Sequence, residues 1–537
     1  MNAQDTQTIA KASWLPLIIV MLAQIQLSFN AFNVSITGIT EDLNIPATAV
    51  GTALTTGTFA MAGFILLGAK FGAKLGIRRA FQIGVLVPAV SAFAIALAQQ
   101  GGQLLVAQAI SGASVALSAP ALTVLIARNY QGRQQAQAIG FLASGIPLAQ
   151  VISLLIAGYF ASTIGWRWSF VLVGAIGLLN FGLSWLLKPI PADKSLTIDW
   201  VGAAFASAGI ISVSFGFSGL VAWGFISATS QAPFTIFGLS PVPFFLVIGA
   251  ALFVVFWRRS RRRMNAGKAP LLNLKVVKSG PERATIVVMA TMLFVGTAAS
   301  FLMPLYMQVV RGIGGFETSL AIVPYTISIF IANTLVVRLY DRFSPAQIAR
   351  TGLWVVTIAF IWLAATILLS WGQLAVVIGL VTLGLAQGCI VALVFNTLLT
   401  SAPADAAGDV GALRGLTHNV SGSAGIAIAT ALAVAFLGGL ASQSANSSTV
   451  LTSQTVEQLN FDYANFITDD QVVAVLENAS ATHEEVVAGT GYFAQARLIA
   501  LSGTMLILGG LAFAASFAAS RMPRSRPERE EPATAAA

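Results

Sequence analysis

The chain has 537 residues, of which 56% are hydrophobic and only 9% charged, and its mean hydropathy is +0.82. A water-soluble fold cannot hide that much apolar surface, so the composition excludes an ordinary soluble domain and calls for a membrane protein. The formal net charge of +9 would suggest nucleic acid in a soluble chain, but here it is first set against the bias of Lys and Arg toward cytoplasmic loops.

The first apolar run, 14–36, is long enough to span a bilayer and lacks a small-residue cleavage site, so it is expected to remain as the first spanning helix and not as a signal peptide. Further runs of spanning length follow near 50–69, 80–99, 103–127, 136–160, 167–187, 198–220, 237–257, 285–308, 317–337, 347–369, 372–398, 413–440 and 497–519. The fold class is therefore an all-α integral membrane protein with about fourteen transmembrane helices. An even count puts both termini on one side. With the termini cytoplasmic, the inner segments collect every basic residue except Arg167, Arg311 and Arg497, which is the expected bias and leaves no surplus charge for a nucleic acid to explain. The segment 441–496 is polar and holds Glu457, Asp462, Asp469, Asp470, Glu477, Glu484 and Glu485. It reads as a solvated outer loop, or alternatively as a substrate-gathering lid with short helices. The stretch 521–537, rich in Pro, Arg, Glu and Ala, reads as a disordered cytoplasmic tail.

Several strings carry more information than hydropathy does. The loop Gly68-Ala-Lys-Phe-Gly-Ala-Lys-Leu-Gly-Ile-Arg-Arg79 and the loop Arg338-Leu-Tyr-Asp-Arg-Phe-Ser-Pro345 look alike and stand eight helices apart. Gly165-Trp-Arg-Trp-Ser-Phe170, Asp199-Trp-Val-Gly202, Pro304-Leu-Tyr-Met-Gln308 and the glycine-rich run Gly411 to Ala427 follow in order. Together they resemble the fourteen-helix drug:proton antiporter branch of the major facilitator superfamily. That resemblance implies two six-helix bundles, 1–190 and 285–520, with two linking helices and a basic loop in 191–284. It also implies alternating access around a central cavity. In the resemblance Gly68, Gly72, Gly76, Arg78, Arg79, Asp341 and Arg342 belong to gating loops, the glycines allowing close helix approach where the halves meet.

The chain also departs from that family. Ala73 and Ser28 stand where the branch has acids, Gln108 where it has an arginine associated with proton coupling, and Ser153-Leu154 where it has Gly-Pro, although Gly158 survives. No Asp or Glu falls near the middle of a predicted span, so a buried carboxylate that holds a cation and carries a proton is not expected. What the sequence offers instead is a neutral polar lining. Gln26, Asn30, Asn33 and Thr37 fall on one face of a continuous first helix. In the thirteenth helix Arg414, His418, Ser421 and Gly425 form a second stripe beside Asn419, and Gln108 and Gln150 add further donors and acceptors. Each group reads either as cavity lining or as helix-helix packing, with Arg414 read as snorkelling to the membrane edge. His418 reads either as a packing histidine or as a titrating site residue.

No enzymatic constellation emerges. Cys389 is the single cysteine, His418 and His483 lie on opposite predicted sides, and no phosphate-binding loop is present, so no cofactor or metal is expected. The functional expectation is a secondary active or facilitative transporter of a small amphipathic compound in a bacterial cytoplasmic membrane. The alternative is a transporter-derived receptor without turnover. Substrate identity, proton coupling and oligomeric state are not readable from the residues.

Overall fold

The computed structural model describes residues 13–29, 31–130, 132–192, 197–229, 232–268, 270–272, 279–339, 342–401, 407–448, 450–451, 466–479 and 481–523. The helices in chain order are α1 (Leu15–Ser28), α2 (Ile36–Leu43), α3 (Ala47–Leu75), α4 (Ile77–Ala96), α5 (Gly101–Asn129), α6 (Gly132–Thr163), α7 (Arg167–Leu183) and α8 (Trp200–Trp223). They continue with α9 (Val242–Asn265), α10 (Gly280–Leu305), α11 (Gly315–Leu339), α12 (Pro345–Leu369), α13 (Gln373–Ser401) and α14 (Ala407–Ser447). Two more, here α15 (Asp469–Asn478) and α16 (His483–Ala519), complete the described chain. Each predicted span is helical, with α1 and α2 sharing the first. Among the described residues eleven helices are long and apolar enough to cross a membrane, with Leu15–Ser28 and Leu148–Thr163 as shorter apolar pieces.

One half is built from α1 and α3–α7, and the other from α10–α14 and α16, each packed mainly on its own members. The halves meet where α6 lies on α11, where α3 lies on α14, and where the segment between α1 and α2 touches α10. The α8/α9 pair stands outside both halves, and α8 leans on α3 and α14 at once. The end of the molecule carrying Lys70, Lys74, Arg78, Arg79 and Arg258–Arg263 is called the basic end below.

Two elements differ from expectation. The first spanning segment is not one helix: α1 stops at Ser28, Phe29 is extended (φ −71°, ψ 112°), Phe32–Val34 make a single 3₁₀ turn, and α2 begins at Ile36. Non-helical backbone at membrane depth must find partners inside the protein. Here Gln308 supplies them, donating from Nε2 to the Asn33 carbonyl at 2.7 Å and accepting from the Ile36 N–H at 3.0 Å.

The last helix starts fourteen residues earlier than hydropathy alone suggests. Thr482 and Glu485 form a reciprocal capping box, as do Thr468 and Gln471 at the start of α15, and each satisfies N–H groups that would otherwise be orphaned. The fully buried Arg497 then ties the two together, donating to the Ile467 carbonyl at 2.7 Å and pairing with Asp469.

Candidate functional site

The motif strings resolve into joints. Asp199 caps α8 by accepting from the Gly202 N–H at 3.1 Å, and a side chain at Gly202 would collide with that carboxylate. The same carboxylate is 97% removed from solvent and receives Arg259 at 2.7 Å and Arg263 at 3.5 Å, which fastens α8 to the end of α9. Burial pushes the Asp199 pKa upward, but Arg259, the Gly202 N–H and Arg263 outweigh it and hold the group below its usual value.

At the opposite end Arg167 pairs with Asp42 at 3.0 Å and donates to the Ala96 and Ala98 carbonyls at 2.7 Å each, with its guanidinium over the Trp166 ring. Trp166 Nε1 donates to the same Asp42 at 3.0 Å. This ties α2, α4 and α7 into one corner.

The glycine-rich loop needs a correction. Gly68 lets α3 meet α5, because a Cβ there would overlap the Ala116 carbonyl, and Gly72 faces Ala80. Gly76 turns the chain from α3 into α4 at φ +97°, a conformation that favours glycine. Arg78 donates to the Leu187 carbonyl at 3.2 Å and stacks over Trp185, and Arg79 is exposed. All of these contacts lie within the first half and none joins the halves. Arg342 is exposed, and Asp341 lies outside the described residues.

The close approaches between halves come from other residues. A Cβ on Gly158 would overlap Ser319, and one on Gly315 would overlap the Val34 carbonyl. Ser319 Oγ donates to the Leu154 carbonyl at 2.8 Å, the Phe316 N–H donates to Ser162 Oγ at 3.0 Å, and the Thr58 and Ser423 hydroxyls bond across α3 and α14.

The predicted polar face of the first segment does not survive the helix break as a single face. Asn30 lies outside the described residues. Asn33 is buried and donates to the Ser300 carbonyl of α10 at 3.1 Å, so it joins the halves. Gln26 donates to the Val85 carbonyl at 2.9 Å, while its Oε1 has no partner among the described residues. A cavity of about 190 Å³ brings Gln26 and Gln108 together with Phe29, Phe32, Pro88 and Phe170.

Gln150 is exposed on α6 and is not among the residues of that cavity. Asn419 is buried and donates to the Gly415 carbonyl at 2.8 Å, a bond within its own helix. His418 and Arg414 are exposed, and the Arg414 guanidinium sits 4.4 Å from the Phe395 ring centre of α13. Arg414 thus stacks on α13 within the second half.

Two larger cavities flank α8. One of about 770 Å³ lies among α3, α5 and α8, with Thr48, Thr52, Thr56, Ser214 and Ser218 among apolar walls. The other, of about 760 Å³, lies between α8 and α14, and both reach Val221 and Val434. Each is of the size that holds a drug-like molecule. Sequence reasoning did not single out these walls or Gln308, although Gln308 stands in the quoted Pro304–Gln308 string. Among the spanning helices that hydropathy defines, acids occur only in first turns, at Glu282, Glu317, Glu484 and Glu485.

Two helical halves joined by glycine contacts and a clasped broken helix, with largely apolar cavities that carry a few polar groups, define a multi-pass membrane protein of transporter architecture. A sequence model of the Major Facilitator Superfamily matches residues 17–201 and 195–426, and the chain belongs to that family, whose members are membrane transporters and not enzymes. The chain is similar to the tetracenomycin C resistance and export protein of Streptomyces glaucescens, at 25% identity over 69% of this chain and 66% of that one. It is likewise similar to a probable actinorhodin transporter of Streptomyces coelicolor, at 23% identity over 80% of this chain and 74% of that one. Among solved structures, a bacterial homolog of the human lysosomal transporter Spinster, inward-facing and occupied, superposes with a TM-score of 0.64 at 16% identity, covering 97% of this chain and all of that one. This last likeness speaks to the fold alone.

Proposed function

We propose that the protein exports a small amphipathic, drug-like compound by alternating access, with the basic end and both termini in the cytoplasm of a bacterial cell. The observation that carries the reading is the cavity at the broken first helix, where Gln26 Oε1 lacks a partner and Gln108 stands beside it among aromatic rings. An unpaired buried acceptor in an apolar bay is suited to a ligand with a few donors on an apolar body. The drug-sized cavities beside α8 add apolar walls dotted with hydroxyls. The named cargoes of the two Streptomyces relatives support the class of compound. The glycine contacts between halves bring their backbones close together, where a small displacement would part them.

The scarcity of acids within the spans argues against a buried carboxylate proton switch, leaving uncoupled movement or coupling through His418. Counterflow of labelled tetracenomycin C and actinorhodin in proteoliposomes tests the reading. Exchange requires a site that alternates, so binding without exchange would identify a receptor. Orientation is tested by cysteines at Ala266 and Ala474, both exposed, in a Cys389→Ala background. Impermeant reagents should reach the first from the cytoplasm and the second from outside.

A further inference from the structure

The second polar stripe differs from the charged groups that form joints in this fold. Asp199, Arg259 and Arg263 satisfy one another, and Arg497 has Asp469. Arg414 has no anionic partner among the described residues, and its guanidinium sits over the Phe395 ring. One helical turn further along the same face stands His418, also exposed and without a hydrogen bond among the described residues.

Both side chains are nevertheless largely surrounded by protein. Along its length α14 packs on α3, α8, α10, α13 and α16, and the Arg414 guanidinium faces Phe395 of α13. The space they open on is therefore internal. Among the described residues the neighbouring helices supply no counter-charge at that depth. α13 carries no charged residue, α3 carries only Lys70 and Lys74, and the one acid of α10, Glu282, lies in its first turn and bonds its own cap. The one acid of α14, Asp409, is in its first turn.

A guanidinium held inside a spanning bundle without an anion is costly, and such groups mark the path of what they bind. A planar guanidinium stacked on an aromatic ring still presents donors in a fork that matches a carboxylate or sulfonate. Resting on the transport reading above, we propose that Arg414, with His418 beside it and Phe395 behind it, forms the head-group site for an organic anion, so that the preferred cargo is an amphipathic aromatic acid and not a cation.

The test uses three naphthalenes of nearly one shape: 2-naphthoate, neutral 2-naphthamide and the cation 2-naphthylmethylammonium. Their binding to the full chain is titrated calorimetrically in phosphatidylcholine nanodiscs, with empty discs subtracted. Naphthoate is expected to bind at least tenfold more tightly than either companion, since charge-assisted hydrogen bonds are the strong ones. Arg414→Gln should remove that preference, and Arg414→Lys should keep part of it. An unchanged melting curve in Arg414→Gln separates loss of the site from loss of the fold.

Equal affinity for the three probes, or a preference for naphthoate that survives Arg414→Gln, overturns the assignment. A phospholipid head group offers the same anionic chemistry, so the titration is repeated in discs containing phosphatidylglycerol. Unaltered naphthoate binding supports a free acid. Suppression that Arg414→Gln abolishes would give the site to lipid and overturn the cargo assignment. Antibiotic counterflow separates the two readings: its persistence without naphthoate preference sinks only the anion site, and its absence alongside Arg414-dependent naphthoate binding sinks only transport.

Discussion

The first and thirteenth spanning segments carry the same kind of pattern, polar side chains every three or four residues in an apolar helix, yet they put it to different uses. In the first, the helix breaks and its amide N–H groups are committed to backbone, Gln26 to Val85 and Asn33 to Ser300, with Gln308 bridging the gap, which leaves Gln26 Oε1 open to the small cavity. In the thirteenth, α14 runs unbroken from Ala407 to Ser447, and Arg414 and His418 keep their polar atoms free of protein partners among the described residues. Periodicity shows that a face is polar. Whether that face is joint or binding wall depends on what the rest of the chain brings opposite it.

The contrast predicts unequal costs of substitution. The largest belongs to Gln308→Leu, which strands the Asn33 carbonyl and the Ile36 N–H together in an apolar setting. At about 1–3 kcal/mol for each buried group left unpaired, the variant should lose about 2–6 kcal/mol of stability. Thermal unfolding in detergent measures this, and a wild-type midpoint would mean that the break does not depend on Gln308.

Asp199→Asn comes next. Breaking a wholly buried pair costs about 3–5 kcal/mol, but Arg259 is 34% exposed and solvent screens it, so about 2 kcal/mol is expected. The pH dependence follows in sign. A carboxylate whose folded pKa is depressed stabilises the protein above its unfolded value of about 3.9, and that contribution fades as pH falls through the still lower folded pKa. The wild-type advantage over Asp199→Asn should thus be flat from neutral pH down to about 4 and shrink below it. An advantage that grew on acidification would contradict the pairing.

Gly158→Ala places a methyl group against Ser319 and the Gly315 carbonyl. Overpacking of this kind costs about 1–3 kcal/mol, and the loss should appear in the contact between α6 and α11, with counterflow reduced more than the melting temperature. The smallest effect is on the other side of the comparison. Arg414→Gln, which breaks no bond within the described protein, should change stability by less than about 0.5 kcal/mol. A loss as large as that for Gln308→Leu would show that the α14 stripe is also a joint.

Much of the architecture was legible because long apolar runs and basic loops are dictated by the bilayer itself. The joints were legible as strings before they were intelligible as contacts: Asp199–Gly202 is a cap plus an arginine clamp, and Trp166–Arg167 is a corner held by Asp42. The break at Phe29 was not legible. Its sequence, Phe29 to Ser35, contains neither Pro nor Gly, and the bonds that sustain it come from Gln308, more than 270 residues away. The glycine loop was misplaced for a related reason. Small residues announce that something approaches closely, and only the fold shows that Gly68 meets Ala116 of its own half while Gly158 and Gly315 serve the junction. Of the proposed lining residues, Gln26 and Gln108 share a cavity, whereas Gln150 and Asn419 do not join them.

The central claim is that the halves part and rejoin at the end opposite the basic loops. The most direct test is a cysteine pair at Ser162 and Phe316, whose backbone and hydroxyl already touch across α6 and α11, introduced in a Cys389→Ala background. The account predicts that oxidising the pair stops counterflow and that reduction restores it. Full counterflow in protein shown to be quantitatively cross-linked would contradict it.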